Sequence, residues 1–83
     1  MSKSLRSPQQ QRLQKLLIQA RKVKKLTQAD VAAQLKRPQS YVAKYEGGER
    51  RLDVIEFIAV VTALEADPRD ILADLMRSDR IKA

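Results

Sequence analysis

Five short segments, each opened by a residue that starts helices, leave this chain room for little except a small bundle of helices. Ser7-Pro8-Gln9-Gln10 reads as an N-cap, a proline at the first helical position and a glutamine placed for a capping box. Leu13, Leu16, Leu17, Ala20 and Val23 then recur at three- and four-residue steps, one face of an amphipathic helix. The other face carries Arg12, Lys15, Arg21, Lys22, Lys24 and Lys25. Thr27 with Asp30 opens a second segment, whose inner stripe is Val31, Ala32 and Leu35 and which stops near Lys36-Arg37-Pro38. A third follows Pro38 with Val42 and Tyr45 pointing inward, and ends at Gly47-Gly48, suited to a left-handed C-cap. Asp53 and Glu56 have capping-box spacing. The body behind them, Val54 to Leu64, is apolar almost all round and is expected to be the central buried helix. Asp67-Pro68 with Asp70 starts a fifth segment carrying Ile71, Leu72, Leu75 and Met76, and the tail from Arg77 to Ala83 either frays or extends it. The fold class is all-α: a compact five-helix domain over residues 9–76, with an N-terminal arm at 1–8 and a C-terminal tail at 77–83.

At 83 residues there is one core and no second domain. A domain this small buries only about 60% of its unfolded surface, so a partner subunit would help. A hydrophobic share of 43% argues against a disordered basic tail. Cys and His are both absent, which excludes disulfides, thiolate or imidazole metal sites, Ser/His triads and histidine bases. No converging carboxylate cluster is visible, so no catalytic or metal site and no cofactor are expected, and the chain does not read as an enzyme. No apolar run approaches a membrane span, and Leu16-Leu17-Ile18 is too short for a signal peptide, which points to the cytoplasm. The charge is divided. Residues 1–52 hold 13 Lys and Arg against 3 Asp and Glu, while residues 53–83 hold 4 against 7, for +7 overall. A surface coat for solubility mixes both signs; this pattern suggests one face that meets a polyanion and another that faces water or a second copy.

The informative stretch runs from Leu26 to Phe57. Two helices of about eight residues, 28–35 and 39–46, separated by a three- or four-residue turn, have the spacing of a helix-turn-helix unit. Ala32 is small enough for close helix approach, and Val31, Leu35, Val42 and Tyr45 supply the wedge between the two. The motifs are Arg21…Leu26-Thr27-Gln28…Val31-Ala32…Leu35, then Pro38-Gln39-Ser40-Tyr41-Val42, then Glu46-Gly47-Gly48-Glu49-Arg50-Arg51-Leu52-Asp53. In combination they resemble the helix-turn-helix domains of the phage-repressor and Cro type, the XRE-like bacterial regulators, from Leu13 to about Leu75. One departure is visible. The family usually has Gly in the turn where Lys36 stands, and an apolar residue where Arg37 stands. A non-Gly residue in the left-handed conformation costs on the order of 1 kcal/mol.

The resemblance implies five helices and binding to duplex DNA, usually as a homodimer on inverted-repeat operators. It makes 28–35 the scaffold helix and 39–46 the recognition helix, whose first residues touch base edges in the major groove. On this sequence the candidate base contacts are Gln39, Ser40 and Lys44: Gln suits adenine N6/N7 and Lys suits guanine O6/N7. Candidate phosphate contacts are Gln28 at a helix start, Arg37, Arg50 and Arg51 flanking the recognition helix, and Tyr41 against the sugar-phosphate wall. Lys22, Lys24 and Lys25 read as steering charges. The family often pairs an Arg of the first helix with a Glu ending the recognition helix, here Arg21 and Glu46. Phe57 and Met76 are assigned to the core, and Leu75, Met76 and Ile81 are candidate interface residues.

The leading reading is a sequence-specific, nucleoid-associated DNA-binding transcriptional regulator. Alternatives are an antitoxin or restriction controller that also binds a partner protein, and a protein-interaction adaptor that keeps the fold without DNA. RNA binding is disfavoured by a supply of one Phe and two Tyr for base stacking.

Overall fold

The computed structural model describes residues 7–82, with side chains through residue 77. It holds α1 (Pro8–Val23), α2 (Gln28–Leu35), α3 (Gln39–Glu46), α4 (Val54–Ala63) and α5 (Pro68–Lys82). Residues 1–6 of the arm assigned to 1–8 and the Ile81 side chain lie outside the described residues, while Ser7 and Pro8 form the cap and first residue of α1. α5 runs on through the segment read from sequence as a tail.

Local chemistry sets the helix starts. Ser7 Oγ accepts the Gln10 N–H at 3.0 Å. Thr27 and Asp30 form a reciprocal capping box at 3.0 and 2.8 Å, and Asp53 and Glu56 another at 2.7 and 3.0 Å. α3 begins at Pro38 without a side-chain cap.

Left-handed residues set the ends: Lys25, Lys36 and Glu65 at φ 59°, 58° and 58°, and Gly48 at φ 82°. In the α2–α3 turn the Lys36 N–H reaches Ala33 O at 3.2 Å and the Arg37 N–H reaches Ala32 O at 3.0 Å, which closes the helix as a Schellman motif without glycine. At Gly48 the positive φ is what favours glycine; an added Cβ would stand 3.1 Å from the Gln14 amide, the movable end of a flexible side chain.

The core unites Leu17 of α1, Val31 and Ala32 of α2, Val42 and Tyr45 of α3, Phe57, Val60 and Val61 of α4, then Leu64 and Ile71. α2 packs on α3 and α4, while α1 bridges α3 and α5. A bidentate Arg12–Asp74 pair at 2.8 and 2.9 Å ties α1 to α5.

Three sequence expectations need correction. α4 is not buried all round. Phe57, Val60, Val61 and Leu64 face the core, but Val54 is 71% exposed, Ile55 75% and Ile58 45%, because no described element covers that side. Met76 is 59% exposed and outside the core, as the fifth helix turns it away from α1 and α4. Val23, in the last turn of α1, is also exposed. Between α1, α4 and α5 the surface dips into an apolar groove of about 590 Å³, lined by Leu13, Leu52, Phe57, Ile58, Leu72 and Leu75.

Candidate nucleic-acid interface

α3 has two chemically different faces. Val42, Tyr45 and Glu46 are buried, while Gln39, Ser40, Ala43 and Lys44 stand in the open one turn apart. Lys44 makes no ion pair among the described residues, and neither do Lys36, Arg37 or Arg51, all of them exposed.

The buried face is bolted to α1. Arg21 Nε donates to Glu46 Oε2 at 2.7 Å and Nη2 donates to Oε1 at 3.0 Å, while Nη1 takes the Leu26 carbonyl at 2.9 Å. The hydrogen bond to Glu46 raises the Arg21 pKa above its ordinary value against the opposing effect of burial. Gln14 of α1 donates to the Glu46 carbonyl at 3.3 Å and so holds the C-terminal end of α3. Burial pushes the Tyr45 phenol up, and its hydroxyl has no partner among the described residues.

Gln28 is engaged inside the protein. Its Nε2 donates to Glu46 Oε1 at 3.0 Å, and its carbonyl oxygen accepts from Gln39 Nε2 at 3.2 Å. The side chain read from sequence as a phosphate contact is thus occupied in linking α2 to α3. What remains at the start of α2 is backbone. The capping box takes the Thr27 and Asp30 N–H groups, leaving those of Gln28 and Ala29.

Tyr41 is half-buried between cations. The Arg37 guanidinium lies 4.7 Å from its ring centroid and that of Arg50 lies 4.9 Å away, while Tyr45 meets the same ring edge-on at 5.7 Å. Arg50 is also paired with Glu56 of the α4 capping box. Arg50 therefore holds Tyr41 and the α3–α4 loop in place and is not the free clamp that its loop position suggests. Gln14 goes unnoticed in the sequence because its partner lies far along the chain, and Glu56 is read there only as a capping-box residue, since its ion pair with Arg50 forms across a loop.

The family model for helix-turn-helix domains matches residues 17–71. No curated protein matches the chain. A solved XRE-family like protein from Pseudomonas syringae pv. tomato str. DC3000 is 42% identical over 92% of this chain and 93% of that one, with a TM-score of 0.84. The restriction-modification controller protein C.AhdI from Aeromonas hydrophila is 27% identical over 75% of this chain and 94% of its own, at TM-score 0.69. A point mutant of the controller protein C.Esp1396I shares the fold at 18% identity and TM-score 0.76, covering 87% of this chain and 91% of that one. With the matched model spanning the α1–α5 core and its motif falling on α2 and α3, the chain belongs to the helix-turn-helix family of XRE type.

Proposed function

We propose that this chain is a transcriptional regulator that binds duplex DNA sequence-specifically, with α3 in the major groove, and that it acts by occupying an operator in the cytoplasm, at the nucleoid, without catalysis. The observation that carries the reading is α3 itself: its buried face is locked to α1 through Arg21 and Glu46 while Gln39, Ser40 and Lys44 project from a rigid base. Preorganised side chains on a fixed helix suit base reading. Gln39, Ser40 and Lys44 read bases. Phosphates are held by Arg37, Arg51 and the Gln28 and Ala29 N–H groups, with Tyr41 and Arg50 shaping the wall beside them.

Two copies act together. The uncovered apolar residues Val54, Ile55, Ile58, Leu72 and Met76 supply a face for a second copy, and such a patch is unusual on a monomer this small. A dimer would set two recognition helices about 34 Å apart along one side of the duplex. The likeness to the restriction-modification controller protein C.AhdI, matched over 94% of its own length, favours a controller role as the setting.

The test is selection from random duplexes. The expected product is an inverted repeat whose affinity falls roughly 10³–10⁵-fold between 50 and 200 mM salt, as for about 6–10 neutralised phosphates. Failure to enrich any sequence sinks the proposal.

A further inference from the structure

Glu56 serves two partners at once. Its Oε1 accepts the Asp53 N–H at 3.0 Å, the return half of the α4 capping box, and its Oε2 accepts from Arg50 Nη2. A capping box uses one oxygen, and glutamine fills that place as well as glutamate. The second oxygen and the negative charge answer to Arg50 alone, and they tie the first turn of α4 to the α3–α4 loop.

Arg50 carries that tie to α3. Its guanidinium lies 4.9 Å from the Tyr41 centroid, and Tyr45 meets the same ring edge-on at 5.7 Å. Arg37 is the last link, 4.7 Å from that centroid, with its own N–H bonded to Ala32 O at 3.0 Å. Backbone and side chain of Arg37 are thus both held, yet it makes no ion pair among the described residues. A long side chain held before contact loses less freedom when it meets a phosphate. Glu56 has nothing of its own to offer a phosphate, being anionic and only 17% exposed in its side chain.

We infer that Glu56 is a positioning residue for DNA, which aims Arg37 at the phosphate backbone through Arg50 and the Tyr41 ring. This rests on the DNA-binding role proposed above. It also reverses an ordinary sign. Deleting an acidic charge from a DNA-binding protein strengthens its attraction to the phosphates. Deleting this one should weaken binding.

The experiment takes the duplex selected by the wild-type chain and measures affinity across a range of salt for the wild type, Glu56→Gln, Arg37→Ala and the double variant. Glu56→Gln keeps an acceptor for the Asp53 N–H and gives up the charge facing Arg50. It should bind about three- to tenfold more weakly, and equally so on single-base variants of the duplex, since phosphates carry no sequence. Arg37→Ala should make the salt slope shallower by about 0.9, the value of one phosphate. In that background Glu56→Gln should cost nothing further, whereas a merely structural role would cost the same with or without Arg37. Where Glu56→Gln fails to fold, Glu56→Asp decides. Aspartate serves the corresponding place in the Thr27–Asp30 box of α2, and its shorter reach draws the carboxylate back from Arg50, so the same loss is expected with the charge retained. Unchanged or tighter binding by the deciding variant, or an equal loss in the Arg37→Ala background, overturns this inference and leaves DNA binding intact. Selection of no duplex by the wild type overturns both.

Discussion

Arg21 on α1 and Glu46 at the end of α3 are 25 residues apart in sequence and form a two-point ion pair, with side chains only 13% and 5% exposed. A buried pair of this kind adds little net stability over apolar residues of the same shape, but removing one partner strands the other. Glu46→Ala should therefore destabilise the domain by about 3–5 kcal/mol. That is much of the ~5–15 kcal/mol available to a small domain. The double replacement Arg21→Met with Glu46→Leu should recover most of the loss. Urea denaturation of both variants checks this. A loss below about 1 kcal/mol in Glu46→Ala would mean that water reaches the site.

Lys36 sits at φ 58° in the turn between scaffold and recognition helices, where its Cβ crowds the backbone. Lys36→Gly relieves that strain but frees the unfolded chain, for a net gain of about 0.5–1 kcal/mol. The melting temperature should rise by roughly 4–8 °C per kcal/mol gained. Calorimetry at fixed salt measures it. A fall would show that the lysine side chain makes a stabilising contact larger than the strain.

The helix boundaries are legible in the sequence because caps are local: Thr27 with Asp30 and Asp53 with Glu56 meet within a single turn. Gln39, Ser40 and Lys44 are legible as an exposed face because helical period alone separates them from Val42 and Tyr45. The outward face of α4 is not legible. Val54, Ile55 and Ile58 look like core, and sequence cannot say that no neighbour covers them. Nor are the bonds of Gln28 and Arg50. Gln28 meets Gln39 only once Lys36 has bent the chain, and Arg50 finds Glu56 only across the loop.

Tyr45 is 2% exposed and its hydroxyl has no partner among the described residues. Burying a hydroxyl unpaired costs about 1–3 kcal/mol. The ring itself fills the wedge between α2 and α3. Tyr45→Phe keeps the ring and deletes the stranded group, and should stabilise the fold by about 1 kcal/mol. Thermal melts of the two proteins decide; destabilisation would reveal a trapped water on the hydroxyl.

Asp30 is held below the ordinary carboxylate range by the Thr27 N–H first and its hydroxyl second, and Asp67 by the Arg69 side chain first. A carboxylate depressed in the folded state contributes stability that is complete above its unfolded value of about 3.9 and lost as pH falls through the folded value. The melting temperature should stay level from about pH 7 to 5 and drop below about pH 4. Asp30→Asn should begin lower and drop less. Melts across this range at constant ionic strength test the sign, and a melting temperature that rises on acidification would contradict it.

Ile55 is 75% exposed on α4 beside the exposed Val54, and Val54, Ile58 and Leu72 line one apolar groove. In an isolated chain a lysine there touches nothing, and such surface changes fall within about 0.5 kcal/mol. In a two-fold dimer the same change acts twice. It removes two buried isoleucines, worth about 1.5–3 kcal/mol each, and sets like charges near the axis. Ile55→Lys should weaken self-association by about 10²–10⁴-fold while the monomer melts as before. Sedimentation equilibrium reads the first effect and circular dichroism the second. On DNA, the variant should still occupy an isolated half-site but lose the cooperative gain on the full inverted repeat. An unchanged dimer would move the interface away from α4 and leave its apolar residues without a partner.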